Sequence, residues 1–78
     1  MRDVVVYLAR ALVDEPERVT VEERRGGRGV SYEVRTAPDD VGKLIGRGGR
    51  TVKALRRVVK AAAPPGNRVE VEVLAEGE

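Results

Sequence analysis

Residues 46–49, Gly-Arg-Gly-Gly, are the part of this sequence whose residue types are best suited to binding a charged ligand. Glycine at both ends of the segment lets the chain turn sharply and leaves no Cβ between the backbone and an approaching group. Gly49 also opens a predicted helix, whose free N–H groups and positive dipole end favour a phosphate. With Ile45 before it and Val52 and Leu55 after it, the segment reads I-G-x-x-G-x-x-V-x-x-L. This pattern predicts a glycine loop between two helices that binds a phosphodiester.

Basic side chains surround this segment. Arg47 lies at the predicted tip of the loop. Lys43, Arg50 and Lys53 lie within a helical turn or two of it. Residues 41–69 contain eight basic residues and no acidic one, whereas the remainder of the chain contains seven basic and thirteen acidic residues, so the net charge of +2 hides a segregation of charge. Such asymmetry favours a polyanionic partner, although a solvated helix face of one sign would give the same count.

The spacing of apolar residues predicts six elements around the loop. They are a helix over 2–13, strands over 18–25 and 30–36, a short helix ending at Gly46, a long helix over 50–63 and a strand over 68–74. The helices show apolar residues at a period near 3.6, and the strands alternate valine with polar residues. The glycines at 26–29 predict a hairpin turn. The order αββααβ, with a crossover between the second and third strands, predicts an α+β fold: a two-layer sandwich with a three-stranded mixed sheet.

The length of 78 residues predicts one small domain. We expect this domain to span residues 1–75 and residues 76–78 to form a frayed acidic tail.

Composition argues against enzymatic and metal-dependent functions. The chain has no cysteine, no histidine and a single serine, Ser31, and its carboxylates do not cluster in a basic cleft. We therefore expect no catalysis, no cofactor and no metal. No apolar run approaches the ~18 residues of a membrane helix, and no segment reads as a signal peptide, so we expect a cytoplasmic protein.

Other nucleotide-binding modes fit poorly. The glycine spacing does not supply a Walker A loop, and a dinucleotide-binding loop would follow a strand rather than a helix. An RRM needs stacking aromatics on its sheet, but this chain has only Tyr7 and Tyr32, both expected in the core. Bases would instead lie on an aliphatic floor, which we predict to comprise Ile45 and Val52 with Leu44 or Val41 nearby. Leu44 and Leu55 are also expected to be core residues.

The segment Leu44–Leu55, set between two helices, resembles the glycine loop of KH domains. The order αββααβ is that of the type II KH fold, so the resemblance covers nearly the whole chain. It is closest to the small bacterial single-KH RNA-binding proteins of the KhpA (YlqC) group. Their D-x-P segment, P-x-D-x-G-K-x-I-G-x-x-G-R stretch and valine-rich last strand are found here at 14–16, 38–50 and 69–73. Gly48 departs from the usual loop, where a polar or basic residue is more common.

The resemblance implies binding of single-stranded RNA, because a KH loop of this form clamps the backbone of four nucleotides. The implied RNA-binding residues are Lys43, Ile45, Gly46, Arg47, Gly48, Gly49, Arg50 and Lys53. The resemblance also implies a role as an RNA chaperone or post-transcriptional regulator, and pairing as a homodimer or with a second KH protein.

Two alternatives remain open from the sequence. The fold could serve mainly as a protein-interaction or dimerisation module, and Val58, which falls outside the apolar face of the long helix, could seed a self-contact. A single exposed valine is nevertheless unremarkable. The loop could also bind single-stranded DNA, because clamping a phosphodiester does not inspect the 2′-OH.

Overall fold

The computed structural model describes residues 1–27 and 29–77, and its helices and strands follow the predicted order. They are α1 (Arg2–Leu12), β1 (Thr20–Gly26), β2 (Gly29–Thr36), α2 (Val41–Ile45), α3 (Arg50–Ala62) and β3 (Arg68–Ala75). Short 3₁₀ turns at Pro16–Arg18, Pro38–Asp40 and Arg47–Gly49 precede β1, α2 and α3. The first of these turns delays β1 by two residues relative to the prediction. The predicted hairpin is present as the pair Gly26↔Gly29, and Arg28 within it lies outside the described residues.

The three strands form a mixed sheet in the order β1-β2-β3. β1 and β2 are antiparallel, and β2 and β3 are parallel, as the crossover through α2 and α3 requires. In the register, Val34 lies opposite Val21 on one side and Val73 on the other. These valines belong to the face that the helices cover, so the predicted α+β two-layer sandwich is confirmed.

The core lies between the helices and that face of the sheet. Its buried side chains are mostly valines, joined by Tyr32 and Leu44, and Leu55 is buried as well. The expected core positions of Tyr32, Leu44 and Leu55 are thus confirmed. The prediction for Tyr7 is wrong, because its side chain is 73% exposed. Val5 and Ala9, each two positions away on α1, point into the core, so Tyr7 points away from it.

The open face of the sheet carries charges that neutralise one another. Glu22, Glu33 and Glu72 lie side by side across the three strands, and we refer to them as the glutamate row. Arg24 and Arg35 each form ion pairs with both Glu22 and Glu33. Like charges directly opposite one another destabilise a sheet, so these arginines offset the repulsion within the row.

Residue 76, the first of the expected tail, makes contacts with the rest of the protein. The backbone N–H of Glu76 donates to the carbonyl oxygen of Thr36 over 2.8 Å, and the Glu76 carboxylate pairs with Arg18. Residue 76 is therefore attached to the sheet, and Glu78 lies outside the described residues. Within the described part of the chain, no helix has the length and apolar character to cross a membrane.

Candidate nucleic-acid interface

The glycine loop (residues 46–49) turns sharply between α2 and α3. Gly46 ends α2 with φ 76° and ψ 167°, a combination that essentially only glycine adopts. Gly48 and Gly49 follow in the left-handed region, with φ 65° and 78°. The N–H of Gly49 donates to the carbonyl oxygen of Gly46 over 3.1 Å, which closes the turn. Arg47 is thus the one residue with a side chain in a loop otherwise made of backbone.

Packing, as well as the φ angle, requires a glycine at position 46. A Cβ on Gly46 would lie 2.3 Å from Oγ1 of Thr51 and 2.8 Å from its backbone nitrogen. The first turn of α3 therefore packs directly on the Gly46 Cα. A Cβ on Gly48 would meet nothing within 4 Å. Sequence reasoning missed Thr51, since its place in an ordinary helical turn gives no sign that it faces the loop.

The N-terminus of α3 opens onto this loop. Gly49 is its N-cap residue, and no side chain caps the helix. The first backbone N–H groups of a helix have no partner within the helix. Together with the positive end of the helix dipole, they form a surface suited to an anion.

The cations beside the loop are exposed and unneutralised. Within residues 1–27 and 29–77, the structure gives Arg47, Arg50 and Lys53 no ion pair, and all three are exposed. By contrast, the arginines Arg24 and Arg35 of the open sheet face pair with glutamates. The unneutralised positive charge of this region therefore lies at the loop.

Lys43 is the exception among the predicted cations. Its ammonium group donates to the carboxylate of Asp14 and lies 3.6 Å from Oδ1 of Asp40. The hydrogen bond to Asp14 is the main cause that raises the pKa of Lys43 above its ordinary value, with Asp40 adding to it. Lys43 therefore reaches a phosphate only in competition with these two carboxylates.

Asp40 is a buried carboxylate immediately before α2. Aspartate at this position commonly caps a helix, but the Asp40 side chain makes no capping bond there. It accepts the backbone N–H groups of Asp14 and Glu15 instead, over 3.2 and 3.0 Å. Burial alone raises the pKa of Asp40, but these N–H groups and Lys43 outweigh burial and hold the pKa below its ordinary value. Among the described residues, no group of three or more potential metal ligands could hold a metal ion.

Of the residues predicted to form the aliphatic floor, all but Leu44 are at least partly exposed. Ile45 is 38% exposed beside the loop, and Val52 and Val41 are half-buried. Leu44 is fully buried, because it turns into the core from the opposite side of α2, and it does not belong to the floor.

Comparison with known proteins agrees with this arrangement. A sequence model of the KhpA/KhpB KH domain matches residues 2–73. The chain is 45% identical over 75 residues to the RNA-binding protein KhpA of Clostridium perfringens, covering 95% of this chain and 100% of that protein. It is 51% identical over 63 residues to the RNA-binding protein KhpA of Halalkalibacterium halodurans, covering 81% and 83%. These relatives are named for RNA binding and not for an enzymatic activity.

The fold is also found in a solved structure. Era, in complex with MgGDPNP and nucleotides 1506–1542 of 16S ribosomal RNA, matches with a TM-score of 0.65 over 96% of this chain. The match covers 30% of the Era chain at 17% sequence identity, so the likeness concerns the fold alone.

Proposed function

Because the chain belongs to the KhpA/KhpB KH-domain family, we propose that it binds single-stranded RNA through the glycine loop. The observation that carries this proposal is the set of unneutralised cations, Arg47, Arg50 and Lys53, beside a loop with little side-chain cover. The names of the relatives support RNA as the ligand.

The backbone of the RNA would lie along Gly48 and Gly49, where no Cβ stands between a phosphate and the chain. The N-terminal N–H groups of α3 would donate to one phosphate, and Arg47, Arg50 and Lys53 would contact it or its neighbours. Lys43 would join them by exchanging Asp14 for a phosphate. Bases would lie against Ile45 and Val52 on an apolar surface that offers few hydrogen bonds. Such contacts fix the position of a strand more than they read its sequence.

This proposal predicts a definite salt dependence. Three or four phosphate contacts on a single strand give a slope of log K against log[salt] of about −2 to −3. The slope is measured by titrating a labelled oligoribonucleotide over a series of salt concentrations. Arg50→Ala should make it shallower by about 0.7, the share of one phosphate contact. Arg24→Ala, which removes an ion-paired arginine from the open sheet face, is the control and should leave it unchanged. A slope near zero for the wild type would contradict the proposed binding of phosphates at the loop.

The biological role we propose is that of an RNA chaperone or post-transcriptional regulator acting in the cytoplasm. It is supported by the apolar surface beside the loop, since weak base discrimination suits a protein that meets many RNAs. Crosslinking in cells followed by sequencing of the bound RNA tests it. Recovery of many transcripts at unpaired segments would support the role, and recovery of no RNA above background would contradict it. Competition between RNA and single-stranded DNA of the same sequence shows which of the two the protein prefers.

A second proposed function is association with another copy of this chain through α1 and α3. The observation that favours it is a shallow apolar groove of about 340 Å³ between the two helices, which includes Leu8, Leu12, Ala54 and Val58. Leu12 and Val58 are 44% and 48% exposed. The basic residues of α3 repel across such a contact, so we expect weak association that salt strengthens.

Sedimentation tests this second function. We expect a monomer–dimer equilibrium on the order of tens of micromolar, abolished by Val58→Lys, which places a charge in the contact. Tyr7→Lys, at a 73% exposed position of α1 outside the groove, is the control. Detection of monomer alone at both low and high salt would contradict the proposed self-association. Association only when a second KH protein is added would assign the groove to that partner.

A further inference from the structure

Two sequence motifs that the loop does not use meet in the structure. The segment Asp14-Glu15-Pro16 connects α1 to β1, and Asp40 immediately precedes α2. The two carboxylate oxygens of Asp40 accept one backbone N–H each, from Asp14 over 3.2 Å and from Glu15 over 3.0 Å. We call this pair of bonds the clamp. Asp40 is 1% exposed, so the carboxylate side of the clamp is shielded from water, and hydrogen bonds to a charged group are strong there.

The clamp matters because α2 cannot hold its own position. A helix of five residues is far below the length at which a helix is stable alone. Its orientation must come from contacts with the rest of the fold, which include its packing on α3 and β3. Leu44 anchors the last turn in the core, and the clamp anchors the start to the α1–β1 connection. Gly46, the first residue of the glycine loop, follows Leu44 by two positions.

We infer that Asp40 is a positioning residue for the glycine loop: by tying the start of α2 to the α1–β1 connection, it holds the loop in the orientation that binds RNA. The inference rests on the proposed binding of RNA by that loop. Asp40 touches no RNA in this arrangement and acts through α2. The Asp14-Glu15-Pro16 segment then serves the RNA site by presenting two backbone N–H groups to Asp40.

The chain offers a matched control for the charge of Asp40. Asp14 and Asp40 both lie beside Lys43, so replacing either by alanine removes one negative charge near the RNA. Only the Asp40 replacement breaks the clamp, because Asp14 contributes its backbone N–H and not its side chain. Charge alone predicts that both replacements strengthen RNA binding. The positioning role predicts opposite effects.

The experiment is RNA titration of Asp40→Ala and Asp14→Ala at a temperature where both are folded. We expect Asp40→Ala to weaken binding about tenfold, the lower end of what losing an outer-shell partner costs a metal site. Asp14→Ala should leave affinity unchanged or raise it, because Lys43 is released. Val71→Ala, a buried position on β3, serves as a variant of reduced stability with an intact loop and should bind as the wild type does. Amide resonances of Gly46, Gly48 and Gly49 should shift in Asp40→Ala and not in Val71→Ala.

Equal effects of Asp40→Ala and Asp14→Ala would overturn the inference, as would unchanged affinity in Asp40→Ala. If Asp40→Ala does not fold, Asp40→Asn, which keeps the size and one acceptor oxygen, is measured in its place with the same expectations. Failure of both variants to fold would also overturn it, because a positioning residue requires a protein that folds without the clamp. The proposed function is tested separately by Arg47→Glu: if that variant binds RNA normally, the loop is not the site. If Arg47→Glu weakens binding and Asp40→Ala does not, the inference alone is wrong.

Discussion

Replacing Arg47 and Gly48 together by aspartate is expected to lower RNA affinity at least about a hundredfold while the protein stays folded. The change puts two carboxylates where a phosphodiester would meet one guanidinium and bare backbone. It removes a charge-assisted contact worth roughly 1.5–3 kcal/mol and adds repulsion. Since 1.4 kcal/mol corresponds to tenfold in affinity, the two effects together give about a hundredfold or more.

The loop tolerates these replacements structurally. Arg47 is exposed, and surface changes usually alter stability by about 0.5 kcal/mol or less. Gly48 has φ 65°, which costs an L-residue about 1 kcal/mol, although aspartate adopts this region more readily than most. A side chain there meets no neighbour within 4 Å. Circular dichroism should therefore match the wild type, and the melting temperature should fall by only a few degrees.

Arg47→Ala with Gly48→Ala is the control, because it adds the same backbone strain without the negative charge. Its RNA affinity should fall only by the contribution of the Arg47 contact. A folded double-aspartate variant that binds RNA like the wild type would show that residues 46–49 are only a turn, and the assignment of RNA binding to the loop would fail.

The second large effect is expected on stability, from Gly46→Ala. The backbone at Gly46 lies in a region that costs other residues about 1–3 kcal/mol. The new Cβ would also overlap Thr51, whose backbone nitrogen cannot move without displacing the start of α3. The combined cost is about 3 kcal/mol or more, a large share of the stability of so small a domain. Thermal melting should show a drop of about 15 °C or more, at roughly 4–8 °C for each kcal/mol.

Gly48→Ala is the matched comparison for Gly46→Ala. Gly48 also has a positive φ angle, but the space around its Cα is open. Backbone strain alone should therefore lower the melting temperature of the Gly48→Ala variant by about 5 °C. Similar melting temperatures for the two variants would mean that the contact between Gly46 and Thr51 does not constrain the loop.

The sequence was sufficient for the features that depend on local pattern. Alternating valines predicted the strands, the apolar period predicted the helices, and the glycines at 46–49 predicted the turn between α2 and α3. The inward position of Leu44 followed from the same periodicity. These signals lie within a few residues of one another, which is the range over which periodicity and turn chemistry act.

The features that escaped prediction depend on residues far apart in the chain. Asp40 resembles an ordinary helix-start residue, and only the fold brings the N–H groups of Asp14 and Glu15 to it across 25 or more positions. The engagement of Lys43 by Asp14 spans 29 positions. Tyr7 was misplaced because residue type outweighed helical position: an aromatic residue was assigned to the core although its neighbours at 5 and 9 define the buried face.

The ion pairs of the open sheet face also affect how the molecule meets a polyanion. On that face, Arg24 and Arg35 largely cancel the charge of the glutamate row. At the loop on the helix side of the sandwich, Arg47, Arg50 and Lys53 form no ion pair within the described residues. The two sides of the sandwich therefore present different fields in spite of a net charge of only +2. On the proposed binding through the loop, a nucleic acid attracts the helix side and not the sheet side, so a larger share of encounters begins with the loop facing the strand.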